Sequence, residues 1–208
     1  MKIAIIASDA QKEELLTEAM PDDLSVEYLH EPIAVDGTEC YIDLLFEPTE
    51  ERKNKLTQLQ PAIIMVNAVT TTLADLPGNF VRINGWPSFL KRKITEASCT
   101  NDEIRIKAKK ILSCFGKKTE WVPDVPGFVT ARVVSMIINE AYFALEEKVS
   151  SKEEIDIAMK LGTNYPYGPF EWSKKIGLKN IFALLQSLSL QNSRYEPAPL
   201  LEQEALQS

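Results

Sequence analysis

Histidine and cysteine, two residue types that often carry acid–base or metal chemistry, are few in this 208-residue chain. The chain has one histidine, His30, which follows an apolar run that is predicted to form a strand. Its three cysteines, Cys40, Cys99 and Cys114, show no metal-ligand spacing. We therefore expect reduced thiols and no metal site. Any chemistry must be sought in the polar residues that the fold brings together.

The composition argues against several classes of partner. Apolar residues make up 45% of the chain and charged residues 25%, which is ordinary for a globular protein. The net charge of −7 disfavours a nucleic-acid surface, because phosphate binding needs clustered Lys and Arg. No apolar run approaches the roughly 18 residues that span a bilayer, and the N-terminal run is too short for a signal peptide. We expect a cytoplasmic protein that binds neither nucleic acid nor membrane.

The first half of the chain alternates between short apolar runs and helical patterns. The patterns predict helices over 11–20, 49–60 and 102–115. Short buried strands between helices indicate a parallel or mostly parallel sheet with helices on its faces. The predicted strands cover residues 2–7, 24–29, 41–46, 62–69, 80–84, 94–97 and 118–122.

After Asp124 the periodicity is helical, which predicts an α/β domain over 1–122 and a helical domain over 123–208. Ser151 and Glu154 have the spacing of a capping box and predict the start of a second helix. The polar segment 189–208 contains two prolines and is expected to lie along the surface. The long first helix is apolar on more than one side, which favours a dimer core. Its apolar residues are Ala131, Val133, Val134, Ile137, Ile138, Ala141 and Leu145.

Several motifs, in one order, resemble the 3-hydroxyacyl-CoA dehydrogenase family. They are DVPGFV at 124–129, NEA at 139–141, YPYGPFE at 165–171 and RYEPAPLL at 194–201. The resemblance implies a Rossmann-like NAD-binding domain and a helical domain that forms a homodimer. It also implies interconversion of 3-hydroxyacyl-CoA and 3-ketoacyl-CoA by hydride transfer. The expected class is therefore α/β plus all-α, with an α/β half that is shorter than the family's.

Hydride transfer to NAD needs a cradle for the pyrophosphate, which in this fold is a glycine-rich turn after the first strand. Here that turn reads ASDAQK over residues 7–12, and it has no glycine. Asp9 would place a carboxylate near the phosphates, so Ser8 or Asp9 fits an ordinary helix N-cap better. Glu31, after the second strand, could act as the ribose anchor, although a solvated carboxylate is the favoured alternative. NAD(H) is expected only if activity is retained.

The resemblance also implies a catalytic histidine in a motif similar to HFFNP, held by a glutamate. The corresponding region, RINGWP at 82–87, contains no histidine. Counting by the family's spacing places the glutamate's position on Lys93, and the nearby Glu96 falls in another register. The family's substrate-facing serine and its asparagine fall on Val69 and Ala131. No catalytic residue of the family is therefore predicted to remain.

Three residues stay candidate substrate contacts: Asn67, Tyr165 and Phe170. For the last two, a role in defining the turn is the favoured alternative. One hypothesis is a dehydrogenase-like protein of fatty-acid and hydroxyacyl-CoA metabolism with impaired catalysis, which binds acyl-CoA as a homodimer. The alternative is an active NAD-dependent oxidoreductase with a non-standard site. The missing glycines and histidine favour the first hypothesis.

Overall fold

A computed structural model of the chain describes residues 1–16 and 21–208. The chain forms two compact units, Met1–Phe128 and Val129–Ser208. The first combines a sheet with helices, and the second is helical, which confirms the predicted fold class. We call them the α/β unit and the helical unit.

The α/β unit contains a seven-stranded sheet of order β2-β1-β3-β4-β5-β6-β7. The strands are β1 (Lys2–Ile6), β2 (Ser25–Leu29), β3 (Cys40–Asp43), β4 (Ile63–Asn67), β5 (Phe80–Ile83), β6 (Ile94–Ser98) and β7 (Lys118–Trp121). Strands β1 to β5 are parallel, whereas β6 is antiparallel to β5 and parallel to β7. The short apolar runs thus predicted all seven strands and the mostly parallel arrangement, but not the reversal at β6.

Helices on both faces of the sheet explain why its central strands are apolar throughout. The helices are α1 (Asp9–Leu15), α2 (Glu50–Thr57) and α3 (Asp102–Ser113). Ile3 and Ile5 of β1 join a core cluster with Phe115, just after α3, whereas Ala4 joins the opposite cluster with Leu56 of α2. Side chains of a strand alternate between faces, so both faces of β1 are buried. The rest of the first predicted helix, residues 17–20, lies outside the described residues.

The helical unit consists of five helices: α4 (Thr130–Glu146), α5 (Lys152–Thr163), α6 (Pro169–Ile176), α7 (Leu178–Ser189) and α8 (Pro199–Gln207). Ser151 and Glu154 form the predicted capping box of α5. In the parts of the chain that the structure describes, no helix has the length and apolar character needed to cross a membrane.

Most of the segment 189–208 lies along the surface, as predicted, but three of its residues, Ala198, Leu201 and Ala205, are buried. Proline at the first helical position starts α8, whose Leu201 and Ala205 are buried. These two residues are four positions apart and share one helical face. The approach to α8 is fixed by Asn139 of α4, whose Oδ1 accepts from Ala198 N at 2.8 Å and whose Nδ2 donates to Glu196 O at 2.9 Å.

Candidate functional site

The switch point of the sheet lies between β1 and β3, because the strand order proceeds from these two strands in opposite directions. Ligands of open α/β sheets bind at the carboxyl ends of strands around such a point. The chain segments there are the turn before α1 and the segment that follows β3. Their side chains show what the crevice can accept.

Helix capping occupies the turn after β1. Ser8 Oγ accepts from Gln11 N at 3.3 Å, and Gln11 Oε1 accepts from Ser8 N at 3.0 Å. The predicted N-cap at Ser8 is thereby confirmed. Gln11 is almost completely buried, and its Nε2 donates to Leu44 O at 3.0 Å. One side chain thus bridges the switch point from α1 to the end of β3.

Asp9 points to solvent at the start of α1. Its carboxylate forms an ion pair with Lys12 at 2.9 Å, and the hydrogen bond from Lys12 lowers the pKa of Asp9. The residue that would face the pyrophosphate is therefore an anion at neutral pH. This charge disfavours a phosphate at the N-terminus of α1.

Glu31 lies just beyond β2, at the rim of a surface pocket of about 290 Å³ that His30, Thr49 and Arg52 also line. Its carboxylate is exposed and pairs with Lys55 Nζ at 3.3 Å. Lys55 also contacts Glu51, and the hydrogen bonds that it donates to both carboxylates raise its pKa. An exposed, lysine-paired Glu31 fits the solvated alternative. Its role as a ribose anchor stays a prediction.

Asn67 connects the carboxyl ends of three adjacent strands. Its Nδ2 donates to Leu44 O at 3.2 Å, and its Oδ1 accepts from Gly85 N at 3.0 Å. A Cβ on Gly85 would meet the Asn67 side chain at 3.0 Å, so any larger residue would force Asn67 to shift. Asn67 therefore has a clear positioning role. The structure places it three strands away from Glu31 in the sheet order.

A polar pair is formed by Asn84, just after β5, and Glu96 of β6, at the segment where the resemblance implies a histidine. Strand pairing sets Ile83 opposite Ala97, and Asn84 N donates to Glu96 O at 3.0 Å. Asn84 Nδ2 then donates to Glu96 Oε2 at 2.9 Å, and Asn84 is only 4% exposed. Lys93 is exposed and precedes β6.

The antiparallel register brings Glu96 next to the RINGWP segment, whereas Lys93 precedes β6. Counting along the chain cannot show which residue lies opposite the RINGWP region, because β6 reverses direction there. Glu96 contacts Asn84 of this segment. The assignment of the family's glutamate position to Lys93 stays a prediction.

The two other family positions carry no polar side chain. Val69, which follows β4, is 3% exposed, and its carbonyl oxygen accepts from Gly127 N at 2.7 Å. Ala131 is fully buried in α4 of the helical unit. Neither side chain can donate a hydrogen bond to a ligand. Arg82 of β5, which the sequence analysis passed over, is fully buried and pairs with Asp124.

Both aromatic candidates of the helical unit have structural partners. Phe170 is 2% exposed and packs edge-on against Tyr142, with ring centroids 5.1 Å apart. Tyr165 is partly exposed and packs against Trp172 at 5.4 Å. These contacts match the turn-defining alternative, and substrate contact stays a prediction for both.

The loop of residues 164–168, between α5 and α6, ends where Asp156 caps α6. Asp156 accepts from Phe170 N at 2.8 Å and from Glu171 N at 3.1 Å. Burial raises the pKa of Asp156, while these two backbone hydrogen bonds act in the opposite direction. Gly168 gives this carboxylate its space, because a Cβ there would lie 2.2 Å from Asp156 Oδ1.

Metal chemistry finds no support in the side chains at hand. In residues 1–16 and 21–208, no group of three or more His, Cys, Asp or Glu residues could hold a metal ion. The three cysteines are free. Burial raises the pKa of Cys40 and Cys99, so neither thiol is activated.

Comparisons with known proteins agree with this architecture. Residues 127–207 match the family model described as 3-hydroxyacyl-CoA dehydrogenase, C-terminal domain. A 3-hydroxybutyryl-CoA dehydrogenase from Bradyrhizobium diazoefficiens is 32% identical over 209 aligned positions, which cover 91% of this chain and 69% of that protein. The chain belongs to the 3-hydroxyacyl-CoA dehydrogenase family.

Other members of the 3-hydroxyacyl-CoA dehydrogenase family match over different extents. A 3-hydroxyadipyl-CoA dehydrogenase from Escherichia coli is 43% identical over 115 residues, which are 54% of this chain but 24% of that protein. The crystal structure of (S)-3-hydroxybutyryl-CoA dehydrogenase from Ralstonia eutropha superposes with a TM-score of 0.74 at 21% identity. That match covers 97% of this chain and 92% of the other, and it supports the shared fold.

Proposed function

We propose that this chain is a 3-hydroxyacyl-CoA dehydrogenase homologue with impaired catalysis, which binds an acyl-CoA ligand as a cytoplasmic homodimer. The observation that carries the proposal is Asn84, hydrogen-bonded to Glu96 where the family resemblance calls for a histidine held by a glutamate. The fold is kept, while the RINGWP segment offers no imidazole that could accept the proton.

With Asn84 in place of a histidine, the chain lacks the base that the oxidation needs. Oxidation of a 3-hydroxyl group requires a side chain that takes the hydroxyl proton as hydride leaves. A neutral imidazole has an acceptor nitrogen and can become a cation, whereas a carboxamide has no such protonation equilibrium near neutral pH. Asn84 can orient a carbonyl or hydroxyl group of a ligand, but it cannot accept the proton.

The cofactor side of the site supports the same proposal. Gln11 bridges the switch point to Leu44 O at 3.0 Å, and Asp9 places a carboxylate at the start of α1. A glycine-rich turn would instead leave backbone N–H groups open to the pyrophosphate. We therefore expect NAD(H) to bind weakly or not at all.

Acyl-CoA binding and dimerisation are carried over from the family. The matched relatives are named as dehydrogenases of CoA esters. The chain matches less than two thirds of the length of several of these relatives. In the helical unit, Val133 of α4 is 52% exposed, and Ile157 and Leu161 of α5 are 53% and 83% exposed. Apolar side chains left in water on two helices favour a subunit interface.

The alternative function is an active oxidoreductase with a non-standard site. Glu96 is the observation that favours it, because its carboxylate lies beside Asn84 at the carboxyl end of β5 and could accept a proton directly. This alternative requires Glu96 to release Asn84 Nδ2 and NAD to bind without a glycine-rich turn. Replacement of Glu96 by Gln would abolish turnover under the alternative and would change nothing catalytic under our proposal.

Calorimetry with NADH, acetoacetyl-CoA and free CoA tests the binding part of the proposal. We expect saturable binding of the CoA ester and no heat from NADH in the same concentration range. Tight NADH binding would contradict the reading of the α1 turn. Failure of every CoA compound to bind would contradict the ligand-binding role.

A further inference from the structure

We propose that Arg82 is a positioning residue for the ligand site: paired with Asp124, it fixes the loop after β4 and the turn before α4. This inference rests on the proposed function in treating the loop, Ala68–Leu73, as part of the site. The turn, Val125–Phe128, is the last segment of the α/β unit.

Arg82 is a cation in the interior of the α/β unit. Its side chain is completely buried on β5, and burial lowers its pKa, although Asp124 acts in the opposite direction. Residues 82 and 84 are two positions apart, so their side chains leave β5 on the same face. Arg82 therefore shares a face of the sheet with Asn84, the residue that is hydrogen-bonded to Glu96.

The guanidinium group uses all three of its nitrogens. Nε donates to Ala68 O at 3.0 Å, and Nη2 donates to Val69 O at 3.2 Å and Val125 O at 3.4 Å. Nη1 forms a very short contact with Asp124 Oδ1. The planar fork thus connects the start of the loop to the turn, which a lysine could not do with one nitrogen.

Asp124 and Gly127 complete the connection. The second carboxylate oxygen of Asp124 accepts from Leu73 N at 2.9 Å, which fixes the far end of the loop. Gly127 N donates to Val69 O at 2.7 Å, so this carbonyl oxygen is held from two sides. The loop is therefore joined to residues 124–127 at three points: through the Arg82 guanidinium group, through the bond from Leu73 to Asp124, and through the bond from Gly127 to Val69.

The turn contains two consecutive residues with positive φ. Gly127 has φ of +82°, and Phe128 has φ of +48°, which is unfavourable for a residue with a Cβ. The Phe128 ring lies under the guanidinium group of Arg82 at 4.6 Å. The buried cation stabilises the aromatic ring at this strained position.

Amide hydrogen exchange on the full chain tests the inference. Arg82→Ala should accelerate exchange at Leu73 and Gly127 by about 10- to 100-fold, the effect of losing hydrogen bonds to a charged group. Millimolar ethylguanidinium should restore protection by occupying the space of the deleted side chain, whereas Arg82→Lys should restore little of it. Unchanged exchange in Arg82→Ala, or acceleration that ethylguanidinium leaves in place, would overturn the inference.

Arg52→Ala is the matched control, because Arg52 also forms a buried ion pair, with Asp43 at 2.7 Å, elsewhere in the same unit. It should leave Leu73 and Gly127 protected, and equal acceleration there would show general destabilisation and overturn the inference. If Arg82→Ala does not fold, Asp124→Ala replaces it, with accelerated exchange expected at Leu73 and unchanged exchange refuting the role.

Ligand affinity gives a readout that distinguishes this inference from the proposed function. The dissociation constant for acetoacetyl-CoA should rise at least about 10-fold in Arg82→Ala and recover with ethylguanidinium. Unaltered affinity would overturn the positioning role. A wild-type chain that binds no CoA ester would contradict the proposed function, and the exchange measurements would still decide whether Arg82 holds the loop.

Discussion

Replacement of Gly168 by alanine should destabilise the helical unit through one defined steric conflict. The added Cβ would lie 2.2 Å from Asp156 Oδ1, 2.4 Å from its Cγ and 2.5 Å from its Cα. Since the Cα belongs to the backbone of α5, rotation of the carboxylate alone cannot relieve the overlap. Gly168 has φ of −75°, which alanine adopts freely, so backbone strain at position 168 is not the cause.

The expected cost follows from the two hydrogen bonds that Asp156 would lose. Its carboxylate accepts from Phe170 N and Glu171 N, and each bond to a charged group contributes about 1.5 kcal/mol or more. We expect a loss of about 3 kcal/mol in the free energy of unfolding, and a fall in Tm of about 6–12 °C for a chain of this size.

Gly162→Ala is the matched control within α5. No atom lies within 4 Å of the Cβ that it would add, and alanine is favoured over glycine in helices by up to about 1 kcal/mol. Urea unfolding, with hydrogen exchange to assign the change to the helical unit, should show loss for Gly168→Ala and a small gain for Gly162→Ala. Equal small effects of the two substitutions would refute the reasoning.

Three further predictions test other parts of the account. Asn84→His should give an imidazole with a pKa above about 6.5, because the Glu96 carboxylate favours the charged form, and Glu96→Gln should remove this rise. The chain has one native histidine, so NMR can assign both imidazole signals, and an unshifted pKa would contradict the pairing. Burial raises the pKa of Glu204, but hydrogen bonds from Lys152 and Tyr142 outweigh burial and lower this pKa below 4.5. The stability that the ionised Glu204 contributes above pH 4.5 should therefore be lost as the pH falls through the pKa of the folded state. Amide exchange in α8 should show this loss in the wild type and not in Glu204→Gln, and Glu202→Gln, at an exposed position, is the control. Light scattering should give twice the 23.4 kDa chain mass. Leu161→Glu should lower the mass, whereas Ile106→Glu in the α/β unit, where the side chain is also largely exposed, should not; a monomeric wild type would refute the dimer.

The strands and the fold class follow from local patterns, and a few residues show why. Ile3 to Ile6 form an uninterrupted apolar run because β1 is central and covered on both faces. The Ser8 N-cap and the Ser151–Glu154 capping box are contacts between residues at most three apart, so sequence spacing determines them. Short-range physics was therefore sufficient for these elements.

The candidate site depends on contacts between distant residues, which spacing alone does not determine. Glu96 reaches Asn84 because β6 runs antiparallel to β5, and spacing along the chain does not show this contact. Arg82 could have been found from one signal, a charged residue in the middle of the apolar run FVRIN, because charges are seldom buried without a partner. Its partner, 42 positions away, is fixed by the fold.

The most direct test of the central claim is acetoacetyl-CoA reduction by the purified wild-type chain, followed by NADH absorbance. The site offers Asn84 in place of a base and Gln11 across the switch point, so the account predicts a rate equal to that of a heat-inactivated control. Saturable turnover above that control, abolished by Glu96→Gln, would contradict the account and establish the alternative enzyme.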